Sequence, residues 1–226
     1  MKQRYPIKAL LFDLDGTLAD TIGDITDAVN AVMHEAHLPS LEHGVVMRHV
    51  GSGLKHTLYK AIQENRADPD AMDMDHWVQV MLAKYSLRPC VATHLYPGIA
   101  QFLENSVAGG LRLGVLSNKE ERLVVEIVDT LLPGIPFVSV RGASDLFPRK
   151  PDPTLAHQFA QEAGIPEHQV LYVGDSDIDY HTAGAAGMQI ALVTWGYRSR
   201  AQLEAGGFEP LFDTVEELER EVHAWR

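Results

Sequence analysis

The segment 7–14 limits the possible folds of this chain more than any other. Its sequence, IKALLFDL, is almost continuously apolar and is followed by Asp15 and Gly16. A strand with apolar side chains at successive positions is typical of a parallel sheet that is covered on both faces, and an Asp-Gly pair favours a turn. We therefore predict that residues 7–14 form a buried strand of a parallel sheet.

The second half of the chain alternates between strand and helix patterns. Further strands are predicted at about 111–116, 136–140, 169–176 and 189–193. Between them, Asn118 with Glu121 three residues later predicts one helix start, and Pro153 predicts the first position of another helix. Strands that alternate with helices are typical of right-handed crossovers. The predicted fold class is therefore α/β, a doubly wound parallel sheet with a Rossmann-like core.

Residues 19–90 follow a different pattern, with helical spacing of apolar residues and no predicted strand. Helices are expected at about 22–36, 53–65 and 71–87. We therefore predict two domains. One is an α/β core formed by residues 1–18 plus 91–226, and the other is an all-helical insert formed by residues 19–90, which we call the cap.

Charge and composition narrow the choice of partners. The formal net charge of −12 opposes a general affinity for nucleic acid or for an anionic membrane. No stretch approaches the length of apolar sequence that a transmembrane helix needs. Cys90 is the single cysteine, so an internal disulfide is impossible and a reducing, cytoplasmic location is expected. A small anionic metabolite stays compatible with this charge, because a site can be locally positive. The oligomeric state is left open.

Polar side chains follow four of the predicted strands. The four loops carry Asp13 and Asp15, Ser117 and Asn118, Lys150, and Asp175 and Asp179. In an open parallel sheet, ligands bind at the carboxyl ends of the strands. We therefore expect these loops to meet at one edge of the sheet, although they are far apart in the sequence.

The residue types in this cluster indicate phosphoryl transfer. Several carboxylates in one pocket repel one another unless a cation neutralises them, and oxygen ligands without Cys or His favour Mg²⁺ over zinc. Lys150, the Ser117 hydroxyl and main-chain N–H groups near Asn118 can hold phosphoryl oxygens. One carboxylate can act as nucleophile and its neighbour as acid and base. We assign the attack to Asp13, which lies nearer the strand, and the proton transfers to Asp15.

These motifs resemble those of the haloacid dehalogenase-like hydrolase superfamily. The matching segments are DLDGT, Ser117-Asn118, Lys150-Pro151-Asp152-Pro153 and GDSDID, in that order along the chain. The insert after DLDGT is similar to the small helical cap of that superfamily. Within it, the closest likeness is to phosphoglycolate phosphatases, through KPDP, VGDSDID, AAGM, WGY and RHVGSG at residues 48–53.

The resemblance implies an activity and a set of roles. The activity is Mg²⁺-dependent hydrolysis of a small phosphate monoester through a phosphoaspartate, with 2-phosphoglycolate as the best single substrate. Asp13 would be the nucleophile, and Ser117 and Lys150 would hold the phosphoryl oxygens. The residues implied to bind the metal are Asp13, Asp15 through its main-chain carbonyl, and Asp175. Asp179 would be a further ligand or would hydrogen-bond to the groups that bind the metal.

Other functions share parts of this chemistry. A sugar phosphomutase of the β-phosphoglucomutase type would return the phosphoryl group from the aspartate to the substrate instead of to water. A dehalogenase needs neither Mg²⁺ nor an acid at the second aspartate, so Asp15 and Asp175 count against it. A receiver-like phosphorylation switch also combines an aspartate, a hydroxyl and a lysine around Mg²⁺, but receivers are shorter and lack a helical insert after the first strand.

Selectivity for the leaving group is expected to come from the cap. Residues 48–55, RHVGSGLK, combine cations with two glycines that let the backbone approach a ligand. We expect Arg48, with Lys55 as the weaker candidate, to bind the non-phosphoryl end of the substrate, because a guanidinium matches a small carboxylate. The alternative is that Arg48 is a charged residue at a helix C-terminus before Gly51.

Overall fold

The computed structural model describes residues 5–225, and a parallel sheet lies at its centre. Within that range the sheet has six strands in the order β5-β4-β1-β6-β7-β8. Their bounds are β1 Ala9–Phe12, β4 Arg112–Glu120, β5 Phe137–Ala143, β6 Val170–Gly174, β7 Gln189–Val193 and β8 Leu211–Phe212. All neighbouring pairs in this sheet are parallel. The predicted fold class is confirmed.

Strand β1 is buried on both faces, as its apolar sequence predicts. Leu10 and Phe12 point into one hydrophobic cluster, and Ala9 and Leu11 point into another on the opposite face. This alternation is the ordinary geometry of a strand. Helices cover both sides of the sheet: α5 Ile99–Ala108, α6 Glu121–Leu131, α7 Thr154–Ala163, α8 Asp177–Ala186, α9 Arg200–Ala205 and α10 Val215–Ala224.

The segment between β1 and α5 is mostly helical and has a core of its own. Its helices are α1 Ile22–Glu35, α2 His43–Met47, α3 Leu54–Glu64 and α4 Met74–Leu87. Their buried apolar residues form one cluster, which Leu123 and Tyr197 join from the sheet side. Two short strands, β2 Ala19–Asp20 and β3 His94–Leu95, pair where the chain enters and leaves this segment. We propose that the cap and the core are the two domains of this fold.

The largest local difference from the sequence prediction lies at the end of β4. The strand runs on to Glu120, so Asn118 is extended and does not start the helix. Glu120 caps α6 instead, because its carboxylate accepts from the Leu123 N–H at 3.1 Å. Pairing of Glu120 with Ala143 of β5 holds this extension in the sheet.

Other differences are small. Helix α7 begins at Thr154, with Pro153 just outside it, because the Asp152 side chain accepts from the Thr154 N–H at 2.9 Å. The sequence patterns also miss β2, β3, β8, α2 and α9, which are too short to show a period. Across residues 5–225, the structure contains no helix with the length and apolar character needed to cross a bilayer.

Candidate active site

Three neighbouring strands carry the predicted site residues to one edge of the sheet. Asp13 follows β1, Ser117 lies near the end of β4, and Asp175 follows β6. Lys150 reaches the same place from the loop after β5, and Asp179 reaches it from the first turn of α8. All five side chains are buried. The structure therefore brings together the loops that the sequence analysis expected to meet.

Asp13 has one oxygen committed and one available. Its Oδ1 accepts from the Leu14 N–H at 2.7 Å and lies 2.9 Å from Lys150 Nζ. Among the described residues, Oδ2 takes part in none of the hydrogen bonds of this site. Burial raises the pKa of Asp13 well above its usual value, and the Lys150 charge offsets part of that rise.

Asp179 holds Lys150 in position. Lys150 Nζ donates to Asp179 Oδ1 at 2.7 Å, and Asp179 Oδ2 accepts from the Ser176 hydroxyl at 2.6 Å. Ser176 and Asp179 form the capping box of α8, so the helix start fixes the carboxylate. Burial alone would lower the pKa of Lys150, but the carboxylates of Asp13 and Asp179 raise it above the usual lysine value. Lys150 is therefore a fixed positive charge beside Asp13.

Asp175 completes a group of carboxylates that fits a divalent cation. Ligand oxygens of Asp13, Asp175 and Asp179 all lie within 4.8 Å of one another. Burial, and next the Asp179 charge, raise the pKa of Asp175 to about 7. Asp175 Oδ2 accepts from the Tyr197 N–H at 2.6 Å, so this side chain is held in place. Such a buried all-oxygen donor set suits Mg²⁺, whose charge would relieve the repulsion.

Asp15 lies beside this group and pairs with a lysine that the sequence analysis did not single out. Its Oδ1 accepts from the Thr21 hydroxyl at 2.5 Å and from Lys119 Nζ. Lys119 is buried, with 2% of its surface exposed. The glycine that follows Asp15 is required, because Gly16 has a φ of 82° and a Cβ there would lie 2.4 Å from Asp175 Oδ2.

A cavity lies between the ends of the strands and the cap. It is partly open to solvent and is lined by Asp13, Asp15, Ile25, Val50, Gly51, Gly53, Leu54, Thr57, Ser117, Asn118 and Lys119. Gly53 has a φ of 91°, and a Cβ on it would lie 3.1 Å from the Asn118 carbonyl oxygen. The cap thus comes close to the sheet edge through a backbone segment that needs glycine. Asp13 and Asp15 therefore face a space that is bounded by both the sheet edge and the cap.

Comparison with known proteins places this arrangement in a family. Residues 10–193 match the family model described as haloacid dehalogenase-like hydrolase. The chain belongs to the haloacid dehalogenase-like hydrolase family.

Among relatives of this hydrolase, several are named phosphoglycolate phosphatase. The one from Rhodospirillum rubrum is 36% identical over 216 residues, which is 93% of this chain and 89% of the relative. The one from Chromobacterium violaceum is 33% identical and covers 88% and 90% of the two chains. A crystal structure of a candidate phosphoglycolate phosphatase from Lactobacillus delbrueckii subsp. bulgaricus has a TM-score of 0.90 and 27% identity. It covers 96% of this chain and 98% of its own.

Asn118 serves as a connection within this hydrolase. Its side-chain amide donates to the Gly51 carbonyl at 3.0 Å and to the Lys150 carbonyl at 3.1 Å, and its Oδ1 accepts from the Lys150 N–H at 2.9 Å. All of these are main-chain partners, so the Asn118 side chain ties the cap to the Lys150 loop. The predicted substrate contact of Asn118 would therefore come from its main-chain N–H group, and this contact stays a prediction.

Arg48 lies away from the cavity. It stands at the C-terminal end of α2, with its guanidinium 3.4 Å from Glu64 and 3.3 Å from the Gly44 carbonyl. More than half of its side chain is exposed. Lys55, the second candidate, is also exposed and pairs with Asp75 at 2.5 Å. The geometry matches the alternative interpretation of Arg48 as a charged helix-terminal residue, and it gives no support to a substrate contact.

A signal for Lys119 was present in the sequence. It follows Ser117 and Asn118 directly, and alternation along an extended strand puts side chains two residues apart on the same side. Because a helix start was predicted at Asn118, the sequence analysis did not place Ser117 and Lys119 on the same side of a strand. With β4 extended through these positions, Ser117 and Lys119 both line the cavity.

Proposed function

We propose that this chain is a Mg²⁺-dependent phosphatase that hydrolyses a small phosphate monoester, with 2-phosphoglycolate as its substrate. The observation that carries the proposal is the placement of Asp13. It lies on the wall of the cavity beneath the cap, with one oxygen available, a buried lysine against the other oxygen, and a second aspartate on the same cavity wall. A nucleophilic carboxylate and an adjacent acid are the two groups that hydrolysis through a phosphoaspartate needs.

In the first step Asp13 Oδ2 attacks the phosphorus atom. The new bond joins Oδ2 to phosphorus, and the bond between phosphorus and the ester oxygen breaks. Asp15 gives a proton to that leaving oxygen, so the product departs as an alcohol. Lys150 and the Ser117 hydroxyl hold the phosphoryl oxygens. The Ser117 oxygen accepts a hydrogen bond from the main-chain N–H of Lys119 at 3.2 Å, so the hydroxyl hydrogen is available to donate to a phosphoryl oxygen.

In the second step water attacks the phosphorus atom of the phosphoaspartate. Asp15, which lost its proton in the first step, takes one from the water. The bond between phosphorus and Asp13 breaks, inorganic phosphate leaves, and the Asp13 carboxylate is restored. The same residue thus serves as general acid in the first step and as general base in the second.

The metal site follows from the same group of side chains. Asp13, Asp175 and the Asp15 carbonyl would hold Mg²⁺, and Asp179 would act by fixing Lys150 because its two oxygens are taken up by Lys150 and Ser176. When bound, the ion supplies positive charge that orients the phosphoryl group and offsets the charge of the attacking carboxylate. Direct ligation by Asp179 stays a prediction.

The choice of 2-phosphoglycolate is supported by the names of related proteins. Relatives at 30–36% identity over most of their length are named phosphoglycolate phosphatase.

A phosphate-release screen tests this proposal. Phosphorylated metabolites, including 2-phosphoglycolate, glycerol phosphates and hexose 1-phosphates, are incubated with the chain in the presence and absence of Mg²⁺. We expect the highest kcat/KM on 2-phosphoglycolate and no phosphate release without the metal. Conversion of a hexose 1-phosphate to its 6-phosphate would identify a phosphomutase instead. A phosphoenzyme that lasts many minutes would identify a switch.

We also propose a cytoplasmic location and a small-metabolite partner. The net charge of −12 disfavours nucleic acid and anionic membrane surfaces, and Cys90 is a half-buried free thiol that suits a reducing compartment. Cell fractionation tests the location, and recovery of the chain with the membrane fraction would contradict it.

A further inference from the structure

Lys119 is a buried cation on the wall of the cavity. It lies near the end of β4, two residues after Ser117, and its side chain is almost fully buried. Its ammonium pairs with Asp15 and lies 5.0 Å from the centre of the Tyr85 ring, which belongs to helix α4 of the cap. Among the described residues that line the cavity, it has the one cationic side chain.

This ammonium has hydrogen-bonding capacity left over. A lysine ammonium has three N–H donors. Asp15 Oδ1 takes one donor, and the Tyr85 ring faces another by a cation–π contact. Lys150 differs, because two carboxylates, those of Asp13 and Asp179, share its charge. Lys119 therefore carries a buried donor that a ligand in the cavity can use.

The position of Lys119 suits the far end of a short leaving group. In the proposed reaction the ester oxygen stands next to Asp15, which gives it a proton. In a 2-phospho carboxylate, one carbon separates that oxygen from the carboxylate carbon, so ordinary bond lengths place the nearer carboxylate oxygen about 3 Å from it. A carboxylate at that distance lies within reach of the ammonium that is bonded to Asp15.

No other side chain in the cavity lining is cationic in the part of the chain that the structure describes. The cap contributes apolar side chains, those of Ile25, Val50 and Leu54, together with the hydroxyl of Thr57. That hydroxyl is 3.0 Å from the His49 carbonyl and 3.2 Å from the Gly53 carbonyl, and it donates to the main chain. A carboxylate buried here without a cation would carry a large desolvation penalty.

We propose that Lys119 binds the carboxylate of the leaving group and thereby sets a preference for 2-phospho carboxylates over uncharged phosphate esters. This inference rests on the proposed phosphatase function and names a specificity-determining residue for it. It assigns to Lys119 the binding of the non-phosphoryl end of the substrate, which the sequence analysis expected of Arg48.

Two phosphonates that cannot be hydrolysed provide the test. In 3-phosphonopropionate a methylene replaces the ester oxygen of 2-phosphoglycolate, and propylphosphonate is the same molecule with a methyl group in place of the carboxylate. Their dissociation constants are measured by calorimetry with Mg²⁺ present. We expect the unaltered chain to bind 3-phosphonopropionate about 10- to 100-fold more tightly, which is the range for a hydrogen bond to a charged group.

Variants then show which residue is responsible for the preference for 3-phosphonopropionate. Lys119→Met removes the cation and is expected to abolish the preference, whereas Arg48→Ala, the matched removal of a cation outside the cavity, is expected to keep it. Because Lys119→Met leaves a buried carboxylate without its partner and can unfold the chain, the double variant Asp15→Asn/Lys119→Met provides a second measurement in which both charges are absent. It is compared with Asp15→Asn alone, in which Lys119 is free to bind the carboxylate and the preference is expected to persist.

The outcomes separate the two claims. An unchanged preference in Lys119→Met, or in the double variant relative to Asp15→Asn, would overturn the assignment of Lys119 while leaving the phosphatase function intact. A loss of preference in Arg48→Ala would overturn it in favour of Arg48. If the unaltered chain hydrolyses no phosphate monoester in the presence of Mg²⁺, the proposed function fails, and the inference that rests on it fails too.

Discussion

Lys150 Nζ lies 2.9 Å from Asp13 Oδ1, and this contact determines which oxygen of Asp13 can react. With Oδ1 held by the lysine and by the Leu14 N–H, Oδ2 is the oxygen left for attack. The lysine is itself fixed by Asp179, which helix α8 holds in its capping box. The orientation of the nucleophile thus depends on a chain of contacts that joins three separate loops.

The acid and base role of Asp15 is tested by Asp15→Asn. The variant keeps the shape of the side chain but cannot give or take the proton, so we expect kcat on 2-phosphoglycolate to fall by about 10²- to 10⁴-fold. An aryl phosphate, whose leaving group needs less protonation, should still phosphorylate the variant. Stopped-flow measurement of the aryl alcohol should then show a burst of one equivalent followed by slow turnover. Full steady-state activity without a burst would assign the proton transfers to another group.

Asp175 predicts a pH dependence of stability in the metal-free chain. Its pKa in the folded chain is about 7, whereas the usual aspartate value is 3.8. Between these values the folded state binds a proton that the unfolded state has lost. The stability that this proton contributes is therefore fully present below about pH 4 and is lost as the pH rises through 7. Thermal melting without Mg²⁺ should show a fall in Tm over this range, and Asp175→Asn should make the fall smaller.

Mg²⁺ should reverse that trend. The ion binds the ionised carboxylates, so it should raise Tm more at about pH 8 than at about pH 5. Asp175→Asn should weaken this effect, whereas Asp177→Asn, which alters an exposed aspartate two residues later in the first turn of α8, should leave it unchanged. Equal effects of Mg²⁺ on Tm at both pH values, or no effect of Asp175→Asn, would remove Asp175 from the metal site.

The Asn118 side chain predicts a link between the cap and the site. Asn118→Ala removes hydrogen bonds to the Gly51 carbonyl and to both main-chain groups of Lys150. Leaving these buried groups unpaired costs about 1–3 kcal/mol in the free energy of unfolding. We expect a raised KM together with lower stability in urea titrations. Unchanged KM and unchanged stability would contradict the role of Asn118 as a connection.

Much of this arrangement could be predicted from local sequence. The run at residues 7–14 predicted a strand buried on both faces, and the polar residues after the strands predicted where the site lies. Long-range pairing explains the main failures. Ser117-Asn118-Lys119-Glu120 has the polar character of a helix start, and its extended form depends on pairing between Glu120 and Ala143. The buried charge of Lys119 is paired with Asp15, which is distant in sequence. The position of Arg48 at the exposed end of α2, beside Glu64, likewise depends on how the cap helices pack.

The central claim is that the phosphoryl group passes through Asp13. The most direct measurement is to mix the chain with Mg²⁺ and radiolabelled 2-phosphoglycolate, quench in acid within a single turnover, and map the labelled peptide. We expect label on the peptide that contains Asp13, released by hydroxylamine as an acyl phosphate is, and absent in a folded Asp13→Asn variant that has lost turnover. Steady release of phosphate by that variant, or turnover of the unaltered chain with no labelled protein at any quench time, would contradict the account.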